Sequence, residues 1–290
     1  MTLLPPWIIL DPLLQQWLRE DIGRGDHSTQ GLQLKGSGRA LWVVKERGVI
    51  AGLPVAGRVF HLLDSETTFE PQVLEGEIVE KGQTLAQVTG PYTTLLMGER
   101  VALNLAMRLS GIATLTRKYV ETIADLPTRV VDTRKTTPGL RILEKYASLV
   151  GGAMNHRLGL DDSVMIKDNH ILAAGGIVEA VRSIRRSLPY PLTIEVETSN
   201  FQDIQAAIAA QVDIIMLDNM EREEMAKAVQ TIRRENPDIR IEASGNITLD
   251  SLRLVAKTGV DFISTSAPIT RSPWLDLSMR ILPASWGQEA

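Results

Sequence analysis

The period of the hydrophobic pattern changes along the chain. Leu13, Leu14, Trp17 and Leu18 fall at helical spacing, which predicts a first helix. The polar, glycine-bearing stretch EDIGRGDHST (20–29) ends it. Residues 39–53 are rich in Val and Leu with Gly48 and Gly52, the signature of a strand and turn; Val55, Val59, Leu62 and Leu63 then share one helical face. In FEPQVLEGEIVEKGQTLAQVTG (69–90), short Val/Ile/Leu runs are separated by Glu-Gly and Lys-Gly, as in antiparallel hairpins. A biotinyl or lipoyl carrier has similar hairpins, but no Lys stands at a tip between hydrophobic residues. A small antiparallel sheet beside helices is the better reading. Residues 97–125 predict one or two helices, broken near Gly111, that connect two domains.

After Pro127 short apolar strands alternate with helical patterns. The strands are Arg129–Asp132, Val164–Ile166, Leu192–Val196, Ile214–Leu217, Ile239–Ala243 and Phe262–Ser264. The helices include Gly176–Ser187, Phe201–Ala210, Arg222–Glu235 and Leu249–Thr258, with Asn200 and Asp250 as starts. Repeating βα units imply a parallel sheet covered by helices, and six strands suit an incompletely closed α/β barrel. The fold class is α/β. Expected boundaries are 1–115 for an N-terminal mixed α/β sandwich, joined by 272–290, and 116–271 for the barrel.

Polar residues gather where these strands end. Asp132-Thr133-Arg134-Lys135 follows the first and Lys167-Asp168-Asn169-His170 the second. The others end in Glu195-Val196-Glu197, Asp218-Asn219, Glu242-Ala243-Ser244-Gly245-Asn246 and Ser264-Thr265-Ser266. One polar strand end needs no explanation, because loops are wet. Six of them meet on the face where α/β barrels place their active sites. Arg134, Lys135, Arg157 and Lys167, with His156, make a cationic half suited to a small polyanion. Glu197 and Asp218 make an acidic half: hard oxygen ligands for Mg²⁺ and its phosphates, or partners for a neighbouring Lys or Arg. Ser244-Gly245-Asn246 offers backbone N–H groups to an anion, though strand-to-helix turns also use these residues structurally.

Composition narrows the classes. With 31 Lys+Arg against 35 Asp+Glu the net charge is −4, which argues against nucleic-acid binding through bulk charge. The absence of Cys removes disulfides, thiolate metal sites and Cys catalysis together. No apolar run approaches the ~20 residues that span a bilayer, and Asp11, Glu20 and Asp21 do not suit a signal peptide, so a cytoplasmic location is expected. Neither GxxxxGK[ST], a strand-following GxGxxG nor HExxH occurs.

At the level of motifs the chain resembles quinolinate phosphoribosyltransferases, the carboxylating nicotinate-nucleotide pyrophosphorylases. The resemblance rests on DTRKTTPGLR (132–141), EKYA (144–147), GGAMNHRLGLDDSVMIKDNHI (151–171), IMLDNM (215–220), EASGNI (242–247) and GVDFIS (259–264). Upstream, EDIGRGD (20–26) and GERVALNLAMRLSGIAT (98–114) are similar too, so nearly the whole chain is covered in order. It implies conversion of quinolinate and phosphoribosyl pyrophosphate to nicotinate mononucleotide, pyrophosphate and CO₂, with Mg²⁺. It implies a homodimer or an assembly of dimers in which Arg100 enters the neighbour's site. By motif, Arg134, His156 and Arg157 would grip the quinolinate carboxylates, with Lys135 and Lys167 between acceptor and donor. Glu197 and Asp218 would face the donor ribose and its metal. Ser244, Gly245 and Asn246 would hold the 5′-phosphate, with Ser264 and Ser266 as the second half of that cradle. Ser266 stands where the family more often has Gly, and His27 where an apolar residue is commoner. Rival classes are a Schiff-base lyase using Lys167, a molybdenum-system pyrophosphorylase-like protein, and a non-catalytic phosphate binder.

Overall fold

The computed structural model describes residues 4–283. Its helices are α1 (Trp7–Ile22), α2 (His27–Leu32), α3 (Leu53–Leu63), α4 (Tyr92–Thr122), α5 (Arg141–Val150), α6 (Asp168–Ala174), α7 (Ile177–Arg185), α8 (Phe201–Ala209), α9 (Arg222–Glu235), α10 (Leu249–Ala256) and α11 (Ala267–Thr270). Its strands are β1 (Ser37–Val44), β2 (Gly48–Val49), β3 (Thr68–Pro71), β4 (Ile78–Val79), β5 (Thr84–Pro91), β6 (Arg129–Val131), β7 (Val164–Ile166), β8 (Ile194–Thr198), β9 (Ile214–Asp218), β10 (Arg240–Ser244), β11 (Phe262–Ser264) and β12 (Leu277–Ile281). The chain divides into two units. The first runs up to Arg117, takes in Thr137–Gly152, and resumes at Arg271; the second is Lys118–Thr136 with Ala153–Thr270.

In the first unit β12, β1, β5 and β3 form an antiparallel sheet in that order. Trp42 on β1 packs edge-on against Phe60 of α3 and Phe69 of β3, with ring centroids 6.3 and 5.4 Å away. Offset and edge-on aromatic contacts of this kind add to the burial of their large apolar surfaces. Leu10, Leu14 and Leu18 recur every fourth residue and bury the inner stripe of α1. The expected hairpins are only partly formed. β3 pairs with β5, whereas β4 pairs with β2, outside that sheet. The polar stretch after α1 also holds a short helix, α2, capped by Asp26, whose carboxylate accepts from the backbone N–H groups of Ser28 and Thr29.

The expected break at Gly111 is absent: α4 runs unbroken for 31 residues. A Cβ at Gly111 would stand 1.9 Å from the carbonyl oxygen of Pro273. That glycine serves a close backbone approach and leaves the helix intact. Beside it and one turn on, the Ser110 and Thr114 hydroxyls accept from the backbone N–H groups of Ala51 (2.9 Å) and Val49 (2.8 Å). Helix α5, inside the range expected for the barrel, belongs with the first unit, where Arg108 grips Glu144.

The second unit is a six-stranded parallel sheet, β6-β11-β10-β9-β8-β7. Among the described residues no ladder joins β6 to β7, so the barrel stays open. Val196, Ile215, Leu217, Ile241, Ala243 and Ile263 are buried on one face. Buried stripes also occur on α8 (Ile204, Ala207), α9 (Met225, Ala228, Val229, Ile232) and α10 (Leu252, Val255, Ala256), as expected for helices covering a parallel sheet. The register places the alternate residues on the other face. Met165 pairs with Glu195, Glu197 with Met216, Met216 with Glu242, Asp218 with Ser244, and Glu242 with Phe262. Charged side chains therefore line the inside because the strand period is two. Asp250 lies in the first turn of α10; the cap is Thr248, in a reciprocal pair with Ser251.

Candidate active site

The six strands run parallel, so their C-terminal ends share one edge of the sheet, and the polar residues foreseen from sequence sit there. Lys167 follows β7 and its ammonium meets Glu197 at the end of β8, 2.5 Å apart. Equivalent inward positions on adjacent strands place these two side by side. The pairing occupies the Lys167 nitrogen, which gives no support to an imine-forming role.

Arg134 and Arg157 form the cationic centre. Arg157 is partly buried, and its guanidinium binds protons less tightly than usual, chiefly through burial and then through repulsion by Arg134; Glu195 and Glu197 oppose the effect. Its Nη1 donates to the carbonyl of Ser163 at 3.0 Å. Nη1 of Arg134 is buried and has no hydrogen-bond partner among the described residues. A buried guanidinium donor without an acceptor is unfavourable alone and well suited to an incoming carboxylate.

His156 is held from three sides. Its backbone N–H donates to Asp132 Oδ1 (2.9 Å), whose other oxygen accepts from the Asn155 amide. Ring Nδ1 accepts from the backbone N–H of Arg157 at 2.7 Å. Nε2 lies 3.1 Å from Glu195 and 3.5 Å from Glu242. Both glutamates are buried, and neither oxygen of Glu195 nor Oε1 of Glu242 accepts a hydrogen bond among the described residues. Burial first, and then the neighbouring Glu195 carboxylate, push the Glu242 carboxyl up to about 7.

At β9, Asn219 Nδ2 donates to Asp218 (2.8 Å), and Asn246 Nδ2 reaches Asn219 Oδ1 at 3.4 Å. Gly245 has φ +101°, and a Cβ there would stand 2.2 Å from that same Oδ1. Its glycine is thus required by packing as well as by backbone conformation. Ser264 is buried and hydrogen-bonds Glu242. The carbonyl of Ser266 accepts from the N–H groups of Ile269 and Thr270, the last two residues of α11. Lys135 is exposed, with its backbone N–H on Thr133 Oγ1. Arg100 is exposed on α4, in the first unit.

Sequence reasoning noted Glu195, Glu242 and Asp132 at strand ends but gave them no role. The signal was present for Glu195: it stands two residues before Glu197, so on a strand both face inward. The pairing of Glu242 with Glu195 through His156 spans three distant segments and needed coordinates.

An open α/β barrel with paired guanidiniums and ion-paired acids at its mouth is the frame of an enzyme acting on small polyanions. The family description "Quinolinate phosphoribosyl transferase, N-terminal domain" matches residues 26–110, and its C-terminal counterpart matches residues 112–280. A Synechocystis protein named probable nicotinate-nucleotide pyrophosphorylase (carboxylating) is 67% identical over 97% of this chain and 96% of its own. The human nicotinate-nucleotide pyrophosphorylase (carboxylating) is 40% identical over 97% and 94%. The crystal structure of NadC from Streptococcus pyogenes superposes with a TM-score of 0.91 at 40% identity, covering 96% of this chain and 99% of that one. The chain belongs to the quinolinate phosphoribosyl transferase family.

Proposed function

We propose that the barrel mouth transfers the phosphoribosyl group of phosphoribosyl pyrophosphate to quinolinate with loss of CO₂, giving nicotinate mononucleotide and pyrophosphate for NAD biosynthesis. The observation that carries this reading is the buried Nη1 of Arg134, without a partner among the described residues, beside a partly buried Arg157. Two guanidiniums that repel each other are stabilised by a dianion, and quinolinate is a planar dicarboxylate matched to their forks. Lys135 and Lys167 would offset the charge of both substrates. Glu197 and Asp218 would face the ribose, where positive charge develops at C1 as pyrophosphate departs. The loop Ser244–Asn246, with Ser264 and Ser266, would hold the 5′-phosphate.

The residues fit Mg²⁺ in a limited sense. Glu197 and Asp218 are hard oxygen donors, yet they do not belong to any group of three metal-binding side chains among the described residues. Two carboxylates suit an ion that arrives with phosphate oxygens and water as its other ligands. Such an ion would neutralise the charge of the leaving pyrophosphate.

The chemistry then follows from charge. The pyridine nitrogen attacks C1 as the bond to pyrophosphate breaks. The ring nitrogen becomes cationic and accepts the electron pair released when the adjacent carboxylate leaves as CO₂; a proton then takes its place on the ring. No covalent enzyme intermediate is required, and positioning with electrostatics supplies the rate. The protein would act in the cytoplasm as a homodimer or an assembly of dimers, with Arg100 reaching the neighbouring site. Among the described residues no helix is long and apolar enough to cross a membrane.

The test is incubation of the purified chain with quinolinate, phosphoribosyl pyrophosphate and Mg²⁺, following nicotinate mononucleotide and CO₂, with nicotinate as control acceptor. Product from quinolinate alone is expected. Product from nicotinate without CO₂ release would overturn the acceptor assignment. Mixing Arg100→Ala and Lys167→Ala chains should restore activity in a fraction of heterodimers; no rescue would remove the shared site.

A further inference from the structure

Next to Arg157 one imidazole, that of His156, faces two buried carboxyl groups. The donor atoms of His156, Glu195 and Glu242 lie within 4.8 Å of one another, a spacing that a metal ion could use. The ring argues otherwise. Nδ1 accepts the Arg157 N–H at 2.7 Å, so it carries a lone pair and the ring proton resides on Nε2. Nε2, the protonated nitrogen, lies 3.1 Å from Glu195 and 3.5 Å from Glu242 without closing a hydrogen bond to Glu195 among the described residues, and it offers no lone pair to a cation. A single N–H cannot satisfy two ionised carboxylates, and an uncompensated buried carboxylate is costly.

We propose that Glu195 and Glu242 are positioning residues that lock His156 with Nε2–H turned into the barrel, and that Glu242 does so as a neutral carboxyl group. This rests on the phosphoribosyl-transfer reading: the floor beneath Arg134 and Arg157 then bears one negative charge, leaving both cations to the quinolinate dianion. The surroundings of Glu242 agree. Glu195 and, more weakly, Glu197 face it from β8 and favour its protonated form together with burial. His156 from the preceding loop and Ser264 from β11 oppose this less strongly. Its register neighbour on β9 is the uncharged Met216.

Loss of the Glu242 proton would place a second negative charge under the acceptor site. The wild-type KM for quinolinate should therefore rise about tenfold between about pH 6 and about pH 8, with kcat changing less. Glu242→Gln keeps the shape and remains neutral, so its KM should match the low-pH wild-type value and stay flat. Glu195→Gln should raise KM at every pH, because it removes the charge that holds the imidazole. A flat wild-type KM, or a Glu242→Gln profile that still rises, would overturn the proposal. Nitrogen-detected NMR of His156 in the wild-type full chain gives a readout independent of any variant. Protonated Nε2 with bare Nδ1 is expected, and the opposite tautomer would overturn the assignment. If the wild type forms no nicotinate mononucleotide, the functional reading fails instead, and the tautomer still tests the cluster.

Discussion

The two units each bury glutamates and treat them in opposite ways. In the first unit Glu144 is fully buried and fully answered. Arg108 grips it through Nε (3.0 Å) and Nη2 (2.7 Å), and the Thr137 backbone N–H and hydroxyl each donate at 2.8 Å. Glu75, half-buried, is answered in the same way: it accepts from the N–H groups of Gly52 and Leu53 at the start of α3 and from the Tyr146 hydroxyl. In the second unit Glu195 and Glu242 are as deeply buried, yet among the described residues each has an oxygen that accepts no hydrogen bond. Nearby, Arg134 has a buried nitrogen with no acceptor among the described residues. A satisfied buried acid holds structure; an unsatisfied one marks a place where charge is arranged for something else.

The largest effect expected from this contrast is on stability in the first unit. Glu144→Ala removes the acceptor of four hydrogen bonds and takes the counter-charge from the largely buried Arg108 guanidinium. Breaking a buried pair in this way costs about 3–5 kcal/mol. Equilibrium unfolding in denaturant should show the midpoint falling accordingly. A shift as small as that of a surface substitution would mean that Glu144 is not structural.

Arg134→Ala is the counterpart in the second unit, and its effect should fall on activity. It removes a charge-assisted donor and deletes an unsatisfied buried group, so the fold should lose little. The kcat/KM for quinolinate should drop about a hundredfold or more, about 3 kcal/mol of transition-state stabilisation. Normal kcat/KM would remove Arg134 from the acceptor site. A large fall in melting temperature would mean that its role is structural after all.

The same contrast explains what was legible in the sequence. The βα rhythm after Pro127 identified all six strands, because each is an apolar run ended by polar residues. The four helices read between them are present, with ends shifted by a residue or two. The pattern put Lys167 and Glu197 at one mouth but in opposite halves; that they pair directly follows from the strand register. Less legible was anything that depended on contacts between distant segments. Gly111 looked like a helix breaker because its reason, the Pro273 carbonyl, is 162 positions away. The β2–β4 pairing competes with a local hairpin that the Glu-Gly and Lys-Gly turns equally favour. Glu195 and Glu242 were visible as residues, but the oxygens left without donors among the described residues are a property of packing alone.

The smallest effect should come from a pair that copies the geometry of Arg108 and Glu144 in water. Arg253 grips Asp125 through two nitrogens at 2.6 and 2.7 Å, and both side chains are exposed. The Arg253 hydrogen bond holds the Asp125 carboxyl down at about 2. A depressed carboxylate contributes stability that is fully present above its unfolded range near 3.8 and is lost as pH falls through about 2. Solvent and salt screen such a pair, so Asp125→Asn should leave the denaturation midpoint at neutral pH within error. NMR titration of the carboxyl in the folded chain should still find a midpoint well below that of a free aspartate. If Asp125→Asn destabilised the protein as much as Glu144→Ala, bidentate geometry alone would set the strength of an ion pair. The distinction drawn between the buried glutamates of the two units would then lose its physical basis, since it assigns that strength to desolvation.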